Sequence, residues 1–191
     1  MIRSFLAIEI PLTVLKRIEK VQEELKTSRA DVRWVNPGKI HLTLKFFGQI
    51  EESRVEPIVE SIEGPVHAAS PFPLQIKGVG AFPHFKNPRV VWLGLLDSQR
   101  ILAPLQKELD DQFERIGFQR EDRPFQPHLT LGRVTSSRGR DDLVGTMEKY
   151  KEEDFGEFQV EGLILFKSEL RPAGPIYTPM RKLAFSGLRE A

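Results

Sequence analysis

The sequence contains no cysteine. That excludes disulfide stapling, a thiolate metal centre and a cysteine nucleophile. Long apolar runs are missing as well. The longest, VVWLGLL at 90–96, falls far short of the roughly 20 residues a helix needs to cross a bilayer. The opening MIRSFLAIEIP has too short an apolar stretch for a secretory signal, so a cytoplasmic location is the expectation. Neither sign of charge is in real excess: Lys+Arg 28 against Asp+Glu 27 leaves +1. Bulk charge therefore does not announce a nucleic-acid binder, and any basic site must be local. There is no glycine-rich phosphate loop, since GVG at 78–80 is too short, and no Ser-His-Asp ordering. What is present is ordinary for a globular protein with a real core: 191 residues, 40% hydrophobic and 29% charged.

The distinctive feature is a phrase that occurs twice. His41-Leu42-Thr43-Leu44 returns as His128-Leu129-Thr130-Leu131, at a spacing of 128 − 41 = 87 residues. Both copies sit in strand-like runs, IHLTLKFFG at 40–48 and PHLTLGRV at 127–134. Strand alternation puts each His and Thr on one face, backed by leucines on the other. By the same alternation Lys45 shares the face of His41 and Thr43, while Phe46 sides with the leucines.

The surrounding elements also repeat. A strand at 3–10, a helix at 13–26, a short extended stretch at 31–37, the first HLTL strand, a helix at 51–62 and a strand at 72–82 make up the first half. The second half has a strand at 89–96, a helix at 98–116, the second HLTL strand, a helix near 140–151, one strand at 155–166 and a closing strand near 177–185. Gln75-Ile76-Lys77-Gly78-Val79 aligns with Gln159-Val160-Glu161-Gly162-Leu163. A duplication accounts for this, with repeats of roughly 1–85 and 86–191. No linker divides them, so one domain, 1–191, of two pseudo-symmetric lobes is expected. The two HLTL strands would then meet at a cleft.

Two opposed imidazoles suit general acid–base catalysis, because near neutral pH one can be neutral and the other charged. The threonine hydroxyls add donors, and together the four groups fit a tetrahedral anion such as phosphate. A metal site needs at least three converging ligands, and neither HLTL strand carries a further His or carboxylate in register. No metal or other cofactor is expected. His67 and His84 belong to no motif, and both fall in loop-like stretches.

With these flanks the chain resembles the 2H phosphoesterase superfamily, named for its paired His-x-Thr/Ser motifs. Within it, the chain is most similar to the RNA 2',3'-cyclic phosphodiesterases, also described as 2'-5' RNA ligases. The resemblance spans nearly the whole length: RSFLAIEI, WVNP…HLTLKFFG, GVGAFP, PRVVWLG, FQPHLTLGR and the closing SEL…GPIY. It implies an α+β fold, duplicated into two lobes, with antiparallel sheets lining a central cleft and helices packed outside. It also implies metal-independent opening of an RNA 2',3'-cyclic phosphate to a 2'-phosphomonoester, with reversible 2'-5' ligation as a related activity. His41 would be the proton donor, His128 the proton acceptor, Thr43 and Thr130 phosphate ligands, and Arg133 a cationic contact. Arg133 lies five residues beyond His128, so strict alternation aims it away; either a bulge near Gly132 re-aims it or its long side chain curls round the strand end, and Lys45 is the geometric substitute. Phe46 or Phe47 could stack on a base, and the arginines of VTSSRGR at 134–140 could track a phosphate backbone.

A monomer acting on RNA, with no membrane partner, is the resulting expectation. Two other readings stay open. One keeps the chemistry on a small nucleotide cyclic phosphate or a 2'-5' oligonucleotide. The other is an RNA-end binder without turnover.

Overall fold

The computed structural model describes residues 1–172 and 174–187. Four strands build one antiparallel sheet: β1 (Ile2–Glu9), β3 (His41–Ile50), β8 (Gly162–Glu169) and β9 (Ile176–Ala184), in the order β3-β1-β8-β9. Five build the other: β2 (Val32–Trp34), β4 (Phe72–Phe82), β5 (Val90–Leu96), β6 (His128–Val134) and β7 (Asp154–Val160), in the order β2-β6-β5-β4-β7. They are called sheet A and sheet B below. This is the expected α+β architecture of two antiparallel sheets around a cleft.

Amphipathic helices cover the outer faces. In α1 (Leu12–Lys26), Val14, Leu15, Ile18, Val21, Gln22 and Leu25 form the buried stripe. In α3 (Leu102–Arg115), the stripe is Leu102, Leu105, Gln106, Leu109, Asp110 and Phe113. Helix α1 backs sheet B together with α4 (Arg140–Glu148), whereas α3 packs with α2 (Val55–Ala68) behind sheet A. One continuous apolar core joins both sheets and all four helices. Each fully buried leucine or phenylalanine in it contributes about 1.5–3 kcal/mol.

Helices α3 and α4 are shorter than their periodicity suggests, and two further departures are larger. The second helix begins later than 51 and runs further than 62, after a 3₁₀ turn at Glu52–Arg54. The stretch 155–166 is not one strand. It divides at Glu161, with β7 pairing with β4 in sheet B and β8 pairing with β1 in sheet A. Gly162, where β8 begins, permits its close pairing with β9, since a Cβ there would lie 2.3 Å from the Leu183 carbonyl oxygen.

That crossing has a consequence for the repeats. Sheet A takes β1 and β3 from the first repeat but β8 and β9 from the second; sheet B takes β5, β6 and β7 from the second but β2 and β4 from the first. The helix after each opening strand crosses too, α1 from sheet A to sheet B and α3 from sheet B to sheet A. The two sheets are thus interwoven along the chain.

Candidate active site

His41 opens β3 and His128 opens β6, and the two strands approach each other directly. Each imidazole is fixed in the same way. His41 Nδ1 lies 2.8 Å from the Lys39 carbonyl oxygen, and His128 Nδ1 lies 2.7 Å from that of Gln126. A carbonyl can only accept, so Nδ1 carries the hydrogen and donates it in both rings. Nε2 is left to take or give a proton. Aromatic rings hold the orientation. Phe5 stacks on His41 at 4.7 Å between centroids, and Tyr177 meets its ring edge-on at 5.2 Å. Phe82 meets His128 edge-on at 5.0 Å, with Trp92 beyond. Burial pushes the His41 pKa below 6.5, and the Lys39 carbonyl pulls back against it.

Thr43 is exposed and Thr130 half-buried, each on the same face as its histidine. Past the threonines both strands change phase. In β6 the pairing with β5 slips, with Trp92 opposite Thr130 but Val91 opposite Gly132. This bulge at Leu131 returns exposed Arg133 to the face of His128 and Thr130. Gly132 is needed there, because a Cβ would lie 2.6 Å from Val32 Cγ1 and 2.9 Å from Trp34 Cε3.

Strand β3 slips at the equivalent point, with Ala7 opposite Thr43 and Leu6 opposite Lys45. Its outcome corrects two expectations. Lys45 does not share the face of His41. It turns into the protein, 4% exposed, and binds the Asp110 carboxylate at 2.6 Å, with the Gln119 carbonyl as a second acceptor. It is therefore no substitute for Arg133. Phe46 does not side with the leucines; it is 42% exposed on the cleft face, with the Arg3 guanidinium 4.5 Å above its ring. Phe47 is buried against Phe113 and Phe118 and is closed to any base. The positions five residues after the two histidines are thus Phe46 on sheet A and Arg133 on sheet B.

Buried glutamines anchor the two bulges. Gln22 of α1, fully buried, donates from Nε2 to the carbonyls of Leu131 and Val35, both at 2.8 Å. Gln106 of α3 reaches the Leu44 carbonyl at 3.4 Å. Nothing in the sequence separates Gln22 and Gln106 from other polar residues on the helix stripes. The aromatic supports Phe5, Phe82, Trp92 and Tyr177 carried no sequence signal that separated them from core. Burial raises the Tyr177 phenol pKa, while the charges of Arg3 and Arg133 both act to lower it.

The other candidates lie elsewhere. Arg138 and Ser136 in the 134–140 loop engage Asp31. His67 lies in α2, not in a loop, and its carbonyl accepts from Ser186. Among the described residues no group of three His, Asp or Glu side chains converges as a metal site.

Comparison with known proteins identifies the family and the fold. The family model of the 2'-5' RNA ligase superfamily matches residues 10–171. An RNA 2',3'-cyclic phosphodiesterase of Methanothermobacter thermautotrophicus is 37% identical over 179 residues, covering 94% of this chain and 96% of that one. One of Methanocaldococcus jannaschii is 36% identical over 94% of this chain and 99% of its own. Among solved structures, TT0787 of Thermus thermophilus superposes with a TM-score of 0.81 at 28% identity, over 97% of this chain and 98% of its own. E. coli LigT complexed with 3'-AMP superposes with a TM-score of 0.76 at 25% identity, with the same coverage. By fold, doubled motif and sequence, the chain belongs to the 2'-5' RNA ligase superfamily.

Proposed function

We propose that this protein hydrolyses RNA 2',3'-cyclic phosphate ends to 2'-phosphomonoesters by two-histidine acid–base catalysis. One observation carries the reading: both imidazoles donate from Nδ1 to a carbonyl two residues upstream, leaving both Nε2 atoms free on the cleft faces of adjoining strands. The relatives' names, RNA 2',3'-cyclic phosphodiesterase, and the 3'-AMP in the complex of E. coli LigT supply the substrate class.

Displacement at phosphorus runs in line, so base and acid must flank the phosphate. His128 Nε2 takes a proton from the attacking water as its oxygen bonds to phosphorus. The bond from phosphorus to the ribose 3'-oxygen breaks, and His41 Nε2–H protonates that oxygen. Thr43 and Thr130 donate to the non-bridging oxygens, and Arg133 neutralises their charge. A 2'-phosphate remains. With a 5'-hydroxyl in place of water, the same steps give a 2'-5' phosphodiester, the ligation counterpart.

The donor role needs a protonated His41, yet burial depresses its pKa in the free protein. Substrate phosphate opposes that shift, since an anion beside an imidazole favours its charged form. A second reading exchanges the roles: a depressed pKa suits His41 as base, and with the ribose reversed the product is a 3'-phosphate.

The test is turnover of a cyclic-phosphate-ended oligonucleotide, with and without EDTA, followed by phosphorus NMR. The expected product is a 2'-phosphate end at an EDTA-insensitive rate. A 3'-phosphate establishes the exchanged roles, chelator sensitivity establishes a metal requirement, and no turnover leaves only end binding.

A further inference from the structure

The edge strand β2 sets Arg33 directly opposite Arg133 of β6. Paired residues in an antiparallel ladder share a face, with Cβ atoms about 4.5–5.5 Å apart. Val32 and Trp34, the neighbours of Arg33, pack against the core, and Arg33 itself is exposed. Arg33 therefore lies on the cleft face with His128, Thr130 and Arg133. Among the described residues neither Arg33 nor Arg133 has a carboxylate within 4.0 Å. Two guanidinium groups side by side repel unless an anion lies between or before them. One phosphate at the reacting centre occupies Arg133 and leaves Arg33 unmatched.

The pair is held in this register by buried contacts. The Leu131 carbonyl accepts from both Val35 N–H and Gln22 Nε2, each at 2.8 Å, tying the end of β2 to the β6 bulge. Sheet A has no counterpart, because β3 is its edge strand and Phe46 stands where sheet B has Arg133. On sheet A the Arg3 guanidinium is engaged over the Phe46 ring, so the paired arginines lie on the His128 side of the cleft.

We infer that Arg33 is a second phosphate contact, taking the phosphodiester next to the reacting end, and that the preferred substrate is an oligonucleotide rather than a mononucleotide. This rests on the proposed cyclic phosphodiesterase reading and names its substrate class. A mononucleotide cyclic phosphate has one phosphate and cannot use Arg33; an RNA end offers a second on its 5' side.

Two measurements test it. In the first, kcat/KM is compared for a cyclic-phosphate-ended oligonucleotide and a 2',3'-cyclic mononucleotide. Arg33→Gln should lower the ratio of the two about tenfold, the usual worth of one charge-assisted contact. Arg33→Lys, which keeps the charge, should restore most of it. In the second, binding of a labelled oligonucleotide with a 2'-phosphate end is titrated against salt. Arg33→Gln should reduce the slope of log K against log salt by about 0.7, one single-strand phosphate contact. An unchanged ratio with an unchanged slope overturns the inference while leaving the cyclic phosphodiesterase reading intact. If the unaltered protein turns over neither substrate, that reading fails, and the salt slope alone decides whether Arg33 contacts RNA.

Discussion

At the scale of single residues, the two histidines differ in their surroundings more than the repeated motif suggests. His41 is sandwiched by Phe5 and Tyr177 and has its pKa lowered by burial. His41→Ala and His128→Ala should each cut turnover by roughly 10²–10⁴-fold, the worth of a positioned acid or base. A near-normal rate in either variant excludes the two-histidine mechanism. The lowered His41 pKa also enters folding. As pH falls through 6.5, the unfolded chain takes up the proton first, so stability declines until the folded value is passed. Melting temperatures measured between about pH 5 and 7 should show this decline and lose most of it in His41→Asn; equal slopes in both proteins would refute the shift. Lys45 belongs to stability alone. Lys45→Met strands the Asp110 carboxylate, 11% exposed, and should cost about 3–5 kcal/mol. Denaturant titration checks the loss, and adding Asp110→Leu should recover most of it.

At the scale of elements, the bulges convert a simple alternation into a site. Without the slip at Leu131, Arg133 would face the core helices. Gln22, buried in α1, holds that slip through the Leu131 carbonyl, and a positioning role for it is the expectation. Gln22→Met should lower stability by about 2 kcal/mol, the net loss of two hydrogen bonds, and reduce kcat/KM roughly tenfold as Arg133 drifts. The decisive measurement is a double-mutant cycle. In an Arg133→Ala background, Gln22→Met should change kcat/KM little, because the residue being aimed is gone. Additive losses would mean that Gln22 does not work through Arg133.

At the scale of the molecule, the interwoven strands make the two repeats mutually dependent. Each sheet takes two strands from the other repeat, and α1 and α3 cross between sheets. Fragments 1–85 and 86–191 should therefore be unfolded separately, each exposing strand edges and half of the joint core. Mixed together, they should regain strand signal by circular dichroism and some turnover. A cooperative thermal transition in either fragment alone would contradict this interdependence.

Much of this protein was legible in the chain. Alternation marks the strands and the 3.6-residue stripe marks the helices, because both follow from local geometry. His41, Thr43, His128 and Thr130 stand out because one phrase recurs with its flanks. Local pattern could not say that β7 and β8 belong to different sheets, since FGEFQVEGLILF reads as continuous strand on either side of the crossing. Nor could it place Lys45, Phe46 and Arg133. Their faces depend on where β3 and β6 slip against β1 and β5, a matter of pairing between segments distant in sequence. A slip of one residue reverses every side chain beyond it. The sequence alone singled out the residues proposed to carry the chemistry, and only the tertiary structure decided which of their neighbours join them at the cleft.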